Sequence, residues 1–152
     1  MIEDKIKELG LSVPEPAKPL AAYIPAIQVN NLVMTSGQLP TIKGELKFKG
    51  KVGKDITEEE GRKAAEISAL NCLGAIKGLI GDLDKIEQIV KLTAFVNSAD
   101  GFISQPKVAN GASELLGKIF GEQGKHARSA VGVNELPIDA PVEIEMIVKL
   151  KD

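Results

Sequence analysis

The stretch Val142-Glu143-Ile144-Glu145-Met146-Ile147-Val148-Lys149-Leu150 decides the fold. Val142, Ile144, Met146, Val148 and Leu150 recur at every second residue, with Glu143, Glu145 and Lys149 between them. A strand sends successive side chains to opposite faces, so this period of two describes a strand with one apolar face. Ile147 breaks the polarity of the other face.

An apolar sheet face needs helices over it, and two segments supply them. Thr57 to Ile80 reads as a helix: Thr57 and Glu60 form a capping box, and Glu58 and Glu59 suit the positive end of the helix dipole. Ala65, Ala69, Cys72, Ile76 and Leu79 follow at steps of four and three as its buried stripe, and Gly81-Asp82 ends it. A second helix begins near Pro106, buries Val108, Ala112, Leu115 and Ile119, and closes at Gly121. Between them, Ile89 to Val96 is a strand with Val90, Leu92, Ala94 and Val96 on one face and Ile89 and Phe95 on the other. Ile27 to Gln38 reads as a hairpin or strand pair turning at Asn30-Asn31, Leu46 to Val52 as a weaker strand, and Ala130 to Val133 as a short one. The order is that of an α+β sandwich, a sheet with helices on one face. Two long helices cannot cover both faces, so Ile89, Phe95 and Ile147 predict that another subunit covers the second.

Ahead of this domain, assigned to residues 21–152, Ile2, Ile6 and Leu9 stand at helical spacing before Gly10, and Pro14, Pro16 and Pro19 make an extended tether. Residues 1–20 are therefore a short N-terminal helix and its proline-rich tether, packing on the surface of the main body. A chain of 152 residues with 43% hydrophobic and 26% charged residues fits one globular domain. The net charge of −2 argues against a broad nucleic-acid surface. The lysine run from Lys43 to Lys54 has no aromatic interleaving and reads as solvated surface. No stretch is long and apolar enough to span a membrane, and MIEDKIKELG is amphipathic, unlike a signal peptide. These features predict a soluble cytoplasmic protein.

One Cys and one His exclude an intrachain disulfide and a four-ligand zinc site. Gly50-Lys51-Val52-Gly53-Lys54 fails as a phosphate loop, with two residues between its glycines and Asp55 where Ser or Thr is required. Cys72, inside the helical stripe, reads as a small buried hydrophobe. His126 lacks a second His and reads as a hydrogen-bonded surface group; Ser129 is too close in sequence for an ordinary triad with it. Arg128 opens a strand after a loop rich in small residues, where its guanidinium could grip a carboxylate with two parallel hydrogen bonds. From spacing alone a surface pair with Glu143 or Glu145 is the stronger reading, because surface ion pairs are common.

Ala127-Arg128-Ser129-Ala130-Val131-Gly132-Val133, Leu136-Pro137 and Val142-Glu143-Ile144-Glu145 together resemble the C-terminal signature of the RidA/YjgF family. Thr35-Ser36-Gly37-Gln38-Leu39-Pro40 is similar to that family's first strand motif, and Leu92-Thr93-Ala94-Phe95-Val96 to its central strand. The resemblance runs from about Tyr23 to the C-terminus.

It implies a chorismate-mutase-like fold, a homotrimer with clefts between subunits, and hydrolysis of 2-iminopropanoate or 2-iminobutanoate to a 2-oxoacid and ammonia without metal or cofactor. It further implies that Arg128 binds the substrate carboxylate, Tyr23, Ser36 and Asn110 line the pocket, and Glu143 with the Ala130 carbonyl places the water. The family also carries endoribonuclease and translation-inhibitor labels, for which this sequence offers neither paired histidines nor an aromatic platform. A third reading is a trimeric binding protein for a carboxylate metabolite, without turnover. The chain departs from the family pattern at Ala130, a cysteine in many relatives, at His126, in a longer segment from Ser98 to Val108, and in its N-terminal extension.

Overall fold

The computed structural model describes residues 1–16 and 22–152. In chain order the elements are α1 (Ile2–Glu8), β1 (Ala26–Val29), β2 (Leu32–Thr35), β3 (Thr41–Ile42), β4 (Glu45–Leu46), α2 (Glu58–Ile80), β5 (Ile86–Asn97), α3 (Gln105–Phe120), β6 (Ala127–Val133) and β7 (Val142–Leu150). Five strands form one mixed sheet in the order β1-β2-β7-β5-β6. Only β5 and β6 pair in parallel, as the crossover through α3 between them requires. The fold is α+β and chorismate-mutase-like, with α2 and α3 packed together over one sheet face.

The alternation of β7 acts as expected: Val142, Ile144, Met146, Val148 and Leu150 are all buried under the helices. In α2, Thr57 Oγ1 accepts from the Glu60 amide at 3.1 Å while Glu60 Oε1 accepts from the Thr57 amide at 3.1 Å, the reciprocal capping box. Gly81, at φ 86°, ends the helix. Val108, Ala112, Leu115 and Ile119 of α3 are buried as their spacing requires, and Gly121 closes that helix.

Four local expectations change. The strand expected from Leu46 to Val52 does not form beyond Leu46, the last residue of the β3–β4 hairpin that turns at Lys43 and Gly44; past it Gly50, at φ 106°, turns the chain. Val52 makes only isolated bridges, to Ile56 and Ser98. Leu79 is 45% exposed, and Ile80 is buried in the last turn of α2 instead. Ile89 lies in the core and not on the second face, and Val90, expected in the core with Leu92, is only half-buried, because the register slips between Ile89 and Lys91 and such a bulge re-aims the side chains on either side. β6 begins at Ala127, three residues before the expected start, so Arg128 stands within the strand. Phe95 and Ile147 remain on the second face, half-buried, with Val131 exposed beside them.

α1 packs against α3 and the turn Leu83–Lys85, with Ile6 fully buried in the same core as the sheet. Glu3 accepts from Lys77 Nζ at 3.0 Å, and Asp84 Oδ1 accepts from the Ile2 amide at 2.8 Å. The tether crosses α2 at two glycines: a Cβ on Gly74 would run into the Pro14 carbonyl, and one on Gly78 would lie 2.9 Å from Pro16 Cγ. Pro19 and the expected boundary after residue 20 fall outside the described residues.

Candidate functional site

β6 places Arg128 in register with Leu92, a core residue beneath the helices, so the arginine leaves the sheet on the helix side. There its Nη1 donates to Asn110 Oδ1 at 2.8 Å and to Ser113 Oγ at 3.1 Å. Asn110 and Ser113 are three residues apart on α3, on one helix face. Neither Glu143 nor Glu145 pairs with Arg128, so the surface-pair alternative is not realised. Among the described residues Nε and Nη2 have no hydrogen-bond partner, which leaves one full edge of the guanidinium fork open. Arg128, Ser113, Gly117, Gly124, Lys125 and His126 line a cavity of about 320 Å³. A half-buried cation with a free two-donor edge in a cavity is suited to a carboxylate.

Glu143 occupies the other side of the sheet. It is registered with Phe95 and lies against the backbone at Gly37, where a Cβ would approach its Cδ and Oε1 to 2.8 Å. Gln38 and Ile144 exchange two backbone hydrogen bonds, 2.7 and 3.0 Å, that hold this strand end beside β7. Burial, reinforced by the neighbouring charge of Glu145, pushes the Glu143 carboxyl above the usual carboxylate range. Ser36 Oγ donates to the Ile24 carbonyl at 2.6 Å, and Tyr23 is exposed next to it. Ala130 is partly buried in β6, two residues beyond Arg128 and paired with Ala94.

The expected site residues thus form two separate groups. Arg128, Asn110 and Ala130 lie at one sheet edge, and Tyr23, Ser36 and Glu143 cluster toward the other. Ser113 and His126 join the first group and were not expected there. The i, i+3 spacing of Asn110 and Ser113 was the available sequence signal for the serine. His126 is hydrogen-bonded, as expected, but half-buried beside Arg128.

Other expectations resolve simply. Cys72 is fully buried, and desolvation pushes its thiol up to about 12. Lys51 turns back to bond Asn97 Oδ1 at 3.0 Å and the Asn134 carbonyl, while Asp55 Oδ2 accepts from its amide at 2.8 Å. No helix among the described residues is long and apolar enough to cross a membrane.

Comparison with known proteins gives one consistent result. A family model described as "YjgF/chorismate mutase-like, putative endoribonuclease" matches residues 3–150. The crystal structure of the protein Atu1372 from Agrobacterium tumefaciens, of unknown function, is 43% identical with a TM-score of 0.92, covering 99% of this chain and 92% of that one. A Shewanella oneidensis MR-1 structure bearing the same endoribonuclease description is 35% identical with a TM-score of 0.95, covering 99% of both chains. A 2-iminobutanoate/2-iminopropanoate deaminase of Dermatophagoides farinae is 30% identical over 142 residues, 93% of this chain and 95% of that protein. On the sequence motifs, the sheet order and these matches, the chain belongs to the RidA/YjgF family.

Proposed function

We propose that this protein hydrolyses reactive 2-imino acids, such as 2-iminopropanoate and 2-iminobutanoate, to 2-oxoacids and ammonia, in a site completed by a second subunit of a homotrimer. The observation that carries this reading is the open Nε–Nη2 edge of Arg128 in its cavity. The D. farinae relative named as such a deaminase supports it. Arg128 holds the substrate carboxylate by two parallel bonds and presents the imine carbon to water. Glu143 and the Ala130 carbonyl orient that water, Tyr23 and Ser36 wall the pocket, and Asn110 braces the arginine. Water adds across the C=N bond, its oxygen to C2 and one proton to nitrogen, to give a carbinolamine; the new hydroxyl then gives up its proton to the same nitrogen as the C–N bond breaks, releasing ammonia and leaving the 2-oxoacid. Imine hydrolysis is intrinsically fast, so orientation and fixed charge suffice without a strong general base. Glu143, with its raised affinity for a proton, suits a role in passing one toward the leaving nitrogen.

The test is a coupled assay with an imine-generating amino-acid deaminase. The wild type is expected to hasten disappearance of 2-iminobutanoate and Arg128→Ala to lose that effect. Tight 2-oxoacid binding without any acceleration would instead identify a carboxylate-binding protein.

A further inference from the structure

His126 and Ser113 have no role in the reaction as described, yet they are bonded to each other, and Ser113 accepts from Arg128. We propose that Ser113 and His126 are positioning residues that fix the guanidinium plane of Arg128, a proposal that rests on the carboxylate-binding role of that arginine. His126 Nδ1 lies 2.6 Å from the Gly124 carbonyl oxygen. A carbonyl only accepts, so Nδ1 carries the hydrogen and Nε2 of the neutral ring is an acceptor. Nε2 lies 2.9 Å from Ser113 Oγ, which therefore donates its one proton to the imidazole. The serine's lone pairs are then free for Arg128 Nη1 at 3.1 Å. Donation runs one way, from Arg128 to Ser113 to His126 to Gly124.

The far end of this chain is anchored. Gly124 is buried against α3 so closely that a Cβ there would run into the Leu116 carbonyl. Gln88 of β5 donates to the carbonyls of Gln123, at 3.0 Å, and Lys125, holding the same turn from the sheet side. Asn110 alone would leave the guanidinium free to swing about one bond. A second acceptor, oriented by a fixed imidazole, holds the guanidinium in one orientation at the cavity wall while its Nε–Nη2 edge stays unpaired.

The chain has one histidine and two arginines, so nitrogen-15 spectra isolate both groups. The neutral His126 ring is expected to be the Nδ1–H tautomer. The Arg128 Nε–H signal, assigned with Arg128→Ala, is expected to be ordered in the wild type, mobile in Ser113→Ala and His126→Ala, and ordered again in Ser113→Thr. Loss of one such bond corresponds to about tenfold in affinity, so Ser113→Ala is expected to raise KM about tenfold with a smaller change in kcat. An Nε2–H tautomer, or an Arg128 signal equally ordered in Ser113→Ala, overturns the proposal. If Arg128 loosens as expected but the wild type neither binds 2-oxoacids nor hydrolyses imines, the positioning stands and the deaminase reading fails.

Discussion

Arg128 and Glu143 leave the same sheet on opposite faces: Arg128 is registered with core-facing Leu92, and Glu143 with Phe95 of the second face. Ser36, just beyond β2, is further separated from Arg128 by β7 and β5, about 14 Å across three strand spacings. A single chain therefore keeps two groups of candidate residues apart, Arg128 with Asn110 and Glu143 with Ser36 and Tyr23, which the proposed reaction treats as two half-sites. Contact between unlike half-sites of neighbouring copies would bring them together, and a ring closes such contacts.

The first expectation concerns that assembly. Phe95, Ile147 and Val131 leave apolar surface on the second face, and sedimentation velocity is expected to show one species of three chains. A stable monomer would remove the shared site.

Arg128 can be tested by shape as well as charge. Arg128→Lys keeps the charge but lacks the planar fork, so most activity should be lost. Arg128→Ala should weaken 2-oxobutanoate binding by about 10- to 100-fold, the scale of hydrogen bonds to a charged group. Calorimetric titration measures it, and equal affinities would return Arg128 to a structural role.

Glu143 should separate turnover from stability. Its carboxyl is raised above the ordinary range by burial and then by Glu145, so its contribution to stability is full at low pH and declines as pH rises through the folded-state value. Above that range the ionised group opposes folding, and Glu143→Gln removes the opposition. The variant should melt at or above the wild-type temperature at neutral pH while losing more kcat than substrate affinity. Thermal melts at two pH values with initial rates provide the check.

Cys72 should behave as core. Thr35 Oγ1 lies 3.7 Å from its sulfur, which in turn lies 3.3 Å from the Ile144 carbonyl. Cys72→Ala should cost about 1 kcal/mol of stability and little activity. The thiol is raised from 9.0 to about 12, so its share of stability is intact below pH 9 and lost as pH climbs toward 12. Denaturant titrations should show a smaller alkaline loss in Cys72→Ala, and the folded wild type should resist alkylation.

What the sequence reveals depends on how local the determinant is. Thr57 and Glu60 bond across three residues, and the β7 alternation is set by its own neighbours, so both are legible. The Ile89 bulge is a misfit between β5 and β7, strands far apart in the chain, and no local pattern announces it. Arg128 was recognisable through its motif. Its second anchor was not, because Ser113 and His126 meet only when the turn after α3 folds Gly124 back onto Leu116. The separation of Arg128 from Glu143 follows from strand order and from the register between strands, neither of which short-range periodicity encodes.

Complementation in mixed trimers tests the shared site most directly. Arg128→Ala and Glu143→Gln, each expected to be strongly impaired alone, are co-expressed with different tags, and trimers carrying both tags are assayed for 2-iminobutanoate hydrolysis. In a closed ring, a trimer that carries both tags always joins an intact Arg128 to an intact Glu143 of its neighbour at about a third of its sites. Recovery of roughly that share of wild-type turnover is expected on this geometry. Mixed trimers that form but stay as inactive as the parents, beside an active wild type, would contradict a site shared between Arg128 of one subunit and Glu143 of the next.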